Sequence, residues 1–253
     1  MQTATNRAYW KMSDRVKVGY LWDLWDRRAV RLPISIQYLT NIHWLICGNS
    51  GSGKSYFVLY LLRNLLQCLG DRIELWFCDF KSSEDFSFLS EYARYYAGAD
   101  CKRGLEEFYA EFEAVKSGSV KDDKIRLLFF DEWAGFQVWE TSRDKKQAEL
   151  HKQMLLEVLL MGRSMRCGVT VIMQRNDAAY IQGREQFFVT VVFGKMSAEM
   201  KRMIMSGEEL EQKSVYQPGE GIIKSDSEGT RFLKVPRLHD PEIVKQQIHN
   251  ALM

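Results

Sequence analysis

The stretch "LICGNSGSGKSYF", residues 45–57, decides the fold. Three glycines, Gly48, Gly51 and Gly53, fall within six positions; Lys54 and Ser55 follow at once, and an apolar run stands on each side. Gly48, Gly53, Lys54 and Ser55 satisfy G-x-x-x-x-G-K-[ST]. Glycines at this spacing let successive backbone N–H groups converge on phosphate oxygens, and a helix N-terminus adds its dipole. Lys54 then reaches the β and γ phosphates, and the Ser55 hydroxyl ligates Mg²⁺. The expected nucleotide contacts are Gly48, Asn49, Ser50, Gly51, Ser52, Gly53, Lys54, Ser55 and Tyr56. A chance glycine-rich turn can meet the bare pattern, but here an apolar strand precedes it and an amphipathic helix follows.

Similar short apolar runs recur outward from that loop: "HWLIC" (43–47), "IELWFC" (73–78), "IRLLFF" (125–130), "VTVIM" (169–173) and "FVTVVF" (188–193). They are too continuous for half-exposed strands and predict buried parallel ones. Helical periodicity lies between them: Phe57, Leu61, Leu65 and Leu69; Leu105, Phe108, Phe112 and Val115; then Leu150, Met154, Leu155, Val158 and Leu159. Alternating strands and helices imply an α/β sheet, mostly parallel, with helices on both faces. After residue 215, "GEGIIKSDSEGTRFLKVP" predicts a β-hairpin, and a terminal helix starts near Pro241. Residues 1–40 are expected to form an N-terminal attachment anchored by Trp10, Trp22 and Trp25, leaving 41–253 as the main domain.

Composition narrows the class. The 253 residues are 46% hydrophobic and 27% charged, which suits a large globular core. The net charge is only +2, so any nucleic-acid surface must be local. The five cysteines form no CxxC pair, which argues against a disulfide frame or zinc site and favours a reducing cytoplasm. No window approaches the length of a membrane span. The four histidines, His43, His151, His239 and His249, show no metal-ligand spacing.

A phosphate cradle alone serves kinases, GTPases and motors, so the second acidic site discriminates. In "LLFFDEW", Asp131 ends a buried strand where it can bind Mg²⁺ through water, and Glu132 can orient and deprotonate an attacking water. The strand at 73–78 between loop and acids is the insertion expected of P-loop ATPases. No N-K-x-D guanine-reading motif is present. The alternative is an ordinary strand ending in two solvated acids.

With these residues in place, the chain resembles the FtsK/SpoIIIE branch of the HerA-FtsK ATPases from about Leu32 onward. The likeness runs in order through "RLPISI…NIHWLICGNSGSGKS", "FCDFKSSEDF" with Asp79 and Lys81, "LLFFDEWAGF", "GRSMRCGVTVIMQRND", "SAEMKRMIMSGEE" and "PGEGIIKSD". The resemblance implies a RecA-like P-loop (ASCE) fold and a ring, usually hexameric, that threads double-stranded DNA as ATP is hydrolysed at subunit interfaces. It gives Gln174 the place of the γ-phosphate sensor. Small members on conjugative elements move DNA between cells, and chromosomal ones segregate it. Two departures from the full-length pattern, the lack of a preceding membrane anchor and of a following winged-helix domain, lead us to expect that membrane tethering and sequence-directed loading are either absent or rest with partner proteins.

Ring ATPases complete each site with a neighbour's cation, because charge on the transferring phosphoryl group must be neutralised. The stretch "GLEEFYAEFEAVKSG", where related motors carry arginines, has none. Arg163 and Arg166 are therefore the finger candidates, with Arg175 behind them, against the plainer reading of helix-end arginines. For DNA phosphates the candidates are Arg143, Lys145, Lys146 and Arg184, which as short charge clusters also suit simple solvation. Trp133, Phe136 and Trp139 are expected in the core rather than stacked on bases. Two readings compete with the DNA motor: a type VII-like protein-secretion ATPase, and a nucleotide-binding assembly subunit with weak hydrolysis.

Overall fold

The computed structural model describes residues 14–174, 180–196, 201 and 215–253. The chain begins with β1 (Arg15–Leu21), α1 (Trp22–Arg28), β2 (Pro33–Gln37), β3 (Trp44–Gly48) and α2 (Lys54–Leu69). It continues through β4 (Ile73–Asp79), β5 (Tyr95–Ala97), α3 (Cys101–Lys116), β6 (Ile125–Asp131), α4 (Trp133–Thr141) and α5 (Lys145–Met161). Then come β7 (Cys167–Met173), β8 (Val189–Phe193), β9 (Glu220–Ser225), β10 (Gly229–Lys234) and α6 (Pro241–Leu252). Trp10 and, apart from Lys201, the segment 197–209 lie outside the described residues, as does Arg175.

The described strands form one ten-stranded sheet in the order β2-β1-β10-β9-β8-β3-β7-β6-β4-β5. From β8 to β5 every pairing is parallel, and the five apolar runs of the sequence supply five of those six strands. From β2 to β8 the pairings are antiparallel. Residues 15–37 thus extend the same sheet: β1 bonds to β10 with Tyr20 opposite Lys234. Trp22 packs 5.7 Å from the Phe232 ring of β10, and Trp25 lies 4.9 Å from Tyr20. The short β5 carried no sequence signal, because three residues are too few to show a period.

Helices cover both faces. One core joins α2 and α6 to the sheet through residues such as Phe57, Leu61, Leu65, Val244 and Ile248. The other joins α3, α4 and α5 through Leu105, Phe108, Trp133, Phe136, Leu155 and Leu159. Each large apolar side chain buried this way is worth about 1.5–3 kcal/mol before entropy is charged. Trp133 and Phe136 are fully buried, so they are core residues, and the Trp133 indole donates to the Tyr180 carbonyl at 2.7 Å. The helix starts follow local chemistry. Asp144 caps α5 by accepting from the Lys146 and Gln147 amides, and Asp240 caps α6 ahead of Pro241.

Parallel register has one consequence for function. Asp79 stands opposite Asp131 on β4 and β6, Asp131 stands opposite Ile172 on β7, and Cys47 stands opposite Met173. The carboxyl ends of four strands therefore meet at one edge of the sheet, where ligands bind in open α/β folds.

Candidate nucleotide-binding site

The loop 48–53 leaves β3 and turns into α2, which it can do because Gly53 adopts φ +101° and a Cβ there would lie 2.4 Å from the Gly219 nitrogen. That contact identifies an element that the spacing did not reveal. The Gly219 amide donates to the Ser52 carbonyl at 2.9 Å, and the Val235 amide donates back to the Gly219 carbonyl at 2.9 Å. The C-terminal hairpin thus clamps the glycine loop from outside. Lys54 donates from Nζ to the carbonyls of Gly48 at 2.6 Å and Asn49 at 3.0 Å, which holds its ammonium over the loop. Burial lowers the Lys54 pKa, and the charges of Asp131 and Glu132 work against that shift.

The acids come from neighbouring strand ends. Burial, reinforced by the charges of Asp79 and Glu132, pushes Asp131 up to about 7, while Lys81 and Lys54 pull the other way. Asp79 is fully buried and also raised, chiefly by burial. Its Oδ2 accepts from the Ser83 amide at 2.8 Å and the Tyr95 hydroxyl at 3.0 Å, while Oδ1 has no partner. Burial, more than neighbouring charge, disfavours the ionised carboxylates here, and an arriving cation offsets that cost.

Glu132 follows in a left-handed conformation, φ 59° and ψ 46°, which costs a non-glycine residue about 1–2 kcal/mol. Strain of this kind concentrates at sites where a side chain must be aimed. The αL turn folds Glu132 back against Gly135, where an added Cβ would sit 3.0 Å from the Glu132 Cγ. Its Oε2 accepts from Lys81 Nζ at 2.5 Å.

These groups open onto one cleft of about 510 Å³, lined by Ser50, Gly51, Gly53, Lys54, Ser55, Tyr56, Lys81, Asp131, Glu132 and Gln174. That volume suits a nucleotide-sized ligand. Gly48, Asn49 and Ser52 form the loop behind it. Ser55 and Asp131 face the same space, and among the described residues no cluster of three or more His, Cys, Asp or Glu side chains can hold a metal by itself. One hydroxyl and one carboxylate fit a Mg²⁺ that keeps waters and takes its remaining ligands from phosphates. Pro241 and Lys245 of α6 close the cleft's far wall, and the Tyr56 hydroxyl donates to the Pro236 carbonyl at 3.1 Å. No motif spacing pointed to Lys245, since α6 lies almost two hundred residues from the loop.

Other candidates lie elsewhere. Arg163 and Arg166 precede β7, at the opposite edge of the sheet from the cleft. Arg163 stacks 5.1 Å from the Phe188 ring, and Arg166 donates to the Asp123 carbonyl at 3.0 Å. Arg143, Lys145 and Lys146 are exposed around the start of α5, with Arg143 stacked 4.4 Å from Trp139. Arg184 lies apart from them, in a second cleft of about 310 Å³ with Phe188, Thr190 and Lys224. His43 is buried and neutral: burial lowers it to about 3, and its Nδ1 accepts from the Val169 amide at 3.2 Å.

Fold and site together define a P-loop α/β fold with a nucleotide-sized cleft at the glycine loop. Residues 16–75 match the family described as helicase HerA, central domain. An FtsK domain-containing protein of Bacillus subtilis (strain 168), YdcQ, is 26% identical over 182 residues, covering 65% of this chain and 36% of the relative. Among solved structures, EssC (ATPases 2 and 3) from Geobacillus thermodenitrificans matches with TM-score 0.72 at 15% identity, over 95% of this chain and 49% of that one. The pCW3 conjugation coupling protein TcpA with ATPγS matches with TM-score 0.68 at 17% identity, over 94% and 70%. At such identities the structures show the fold alone. The chain spans about a third of the length of its curated relative and about half that of the EssC chain.

Proposed function

We propose that the protein is an FtsK-like motor that hydrolyses ATP to move double-stranded DNA, working as a ring in the cytoplasm. The observation that carries the hydrolytic part is the single cleft shared by Lys54, Ser55, Asp131 and Glu132. Loop amides and Lys54 hold the β and γ phosphates and neutralise charge that grows as the γ-phosphoryl group transfers. Ser55 and Asp131 would hold Mg²⁺, which neutralises the phosphate oxygens. Glu132 orients a water and takes its proton as the water oxygen bonds to the γ-phosphorus and the bond to ADP breaks. Gln174, on the cleft wall, contacts the γ-phosphate and reports its loss.

Arg163 and Arg166 are proposed as the neighbouring subunit's contribution. At the far edge of the sheet they cannot serve their own chain's cleft, so a ring contact is the way either can act. Arg143, Lys145, Lys146 and Arg184 are the proposed DNA contacts. The DNA assignment draws support from relatives described as an FtsK domain-containing protein and a conjugation coupling protein. Residues 41–253 would be the motor proper and residues 1–40 its attachment, of which 15–37 extend the sheet. Among the described residues no helix is long and apolar enough to cross a membrane.

Steady-state ATPase with and without long duplex DNA, across a salt series, tests the reading. Stimulation by DNA that fades as salt rises is expected, because lysine and arginine contacts to phosphate release counterions. ATPase activity that duplex DNA leaves unchanged at every salt concentration would remove DNA as the cargo and favour the secretion-type motor.

A further inference from the structure

We infer that Lys81 is the positioning residue for the water-activating carboxylate: its ammonium fixes the Glu132 side chain at the cleft. This rests on the reading of Glu132 as the base. Lys81 Nζ lies 2.5 Å from Glu132 Oε2, and the two side chains are 45% and 12% exposed. One carboxylate oxygen is thereby occupied. Oε1 has no partner among the described residues and is the oxygen left to accept a proton from water.

The lysine is itself held by a braced turn. Asp79 and Asp131 are register partners, and the Phe80 amide donates to the Asp131 carbonyl at 3.3 Å, so the end of β4 is tied to the end of β6. The Ser82 amide donates to the Asp79 carbonyl at 3.2 Å while Ser82 takes φ 52°, and the Asp79 carboxylate accepts from the Ser83 amide. Phe80 packs 5.7 Å from both Phe136 and Trp139 on α4, the helix that Glu132 introduces. Lys81 and Glu132 therefore approach from two strand ends whose spacing is fixed beneath them.

Lys54 does not do this work. Its Nζ is committed to the Gly48 and Asn49 carbonyls, and the phosphates are its next partners. Lys81 is half exposed, so the ion pair is weak enough for Glu132 to shift toward a water without an uncompensated charge being left behind.

The test is a double-mutant cycle on the full chain, with ATPγS affinity and steady-state ATP hydrolysis measured for Lys81→Ala, Lys81→Arg, Glu132→Gln and the double variant Lys81→Ala/Glu132→Gln. We expect Lys81→Ala to lower kcat about tenfold to a hundredfold with ATPγS affinity within about threefold of the parent, on the scale of single catalytic-group effects. Lys81→Arg should recover part of the loss, and the double variant should be no slower than Glu132→Gln. Three results overturn the inference: an unchanged kcat in Lys81→Ala, a loss confined to nucleotide affinity, or fully additive losses in the double variant. If Glu132→Gln keeps the parental rate, the base assignment fails and the inference falls with it. If Glu132→Gln is inactive but Lys81→Ala is not, only the role of Lys81 is lost.

Discussion

At the amino-terminal edge of the sheet, Arg126 is buried and fully engaged. It makes a two-pronged pair with Asp122 at 3.0 and 2.8 Å and lies 3.4 Å from both Glu74 and Glu111. The guanidinium holds Asp122 down to about 2. Nearby, His43 is kept uncharged by burial. At the carboxyl edge the pattern reverses: Asp79 and Asp131 face each other across one register step, Asp131 is pushed up to about 7, and one oxygen of Asp79 has no partner. The same sheet thus matches or removes its charges at one edge and leaves buried carboxylates incompletely paired at the other, where the proposed function puts a cation and a polyphosphate.

Changes at the carboxyl edge should therefore cost activity, and changes at the amino edge should cost stability. The largest expected effect is at Lys54. Lys54→Ala should lower kcat/KM for ATP by about 10³-fold, the scale of losing a charged group aimed at the transferring phosphate, while the urea midpoint moves little. A parental rate would break the comparison at its strongest point. On the other edge, Arg126→Met should lower the unfolding free energy by about 2 kcal/mol, because three carboxylates lose their shared partner. Urea unfolding followed by circular dichroism measures this, and the folded variant should bind ATPγS as the parent does.

A pH experiment sharpens the contrast. His43 has a folded pKa lowered from 6.5 to about 3, so the unfolded chain takes up a proton that the folded chain refuses. Its contribution to stability is fully present above pH 6.5 and falls as the pH drops toward 3, with about 2 kcal/mol lost by about pH 5. His43→Gln should flatten that slope in thermal or urea unfolding, and an unaltered slope would show that other groups set the acid limb. The smallest effect is at the rim of the cleft. Lys245→Ala should raise KM for ATP about threefold with kcat unchanged, since a partly exposed cation already paired with Glu242 at 2.8 Å adds under about 1 kcal/mol toward a phosphate. A fall in kcat instead would mean that α6 reaches the chemistry itself.

Much of this architecture was legible because parallel strands buried on both faces write continuous apolar runs, and the phosphate cradle writes its glycines, lysine and serine within eight residues. The strand in "LLFFDEW" could be located for the same reason. The antiparallel half was harder to read. Residues 15–37 carry β1 and β2, whose place beside β10 depends on pairings made with residues some two hundred positions away. The hairpin itself was visible at 220–234, but its grip on the loop through Gly219 was not.

By itself, then, the sequence determined what is local: the strand-loop-helix around Gly48 to Ser55, the acidic end of β6, and the alternation that makes an α/β sheet. Tertiary structure alone decided what is relational, namely that Asp79 stands against Asp131, that Lys81 reaches Glu132, and that Gly219 and Lys245 close around the loop from the far end of the chain. The division follows from range. Periodicity and motif spacing act over a few residues along the backbone, whereas charge balance and clamping depend on which strand ends the sheet brings side by side.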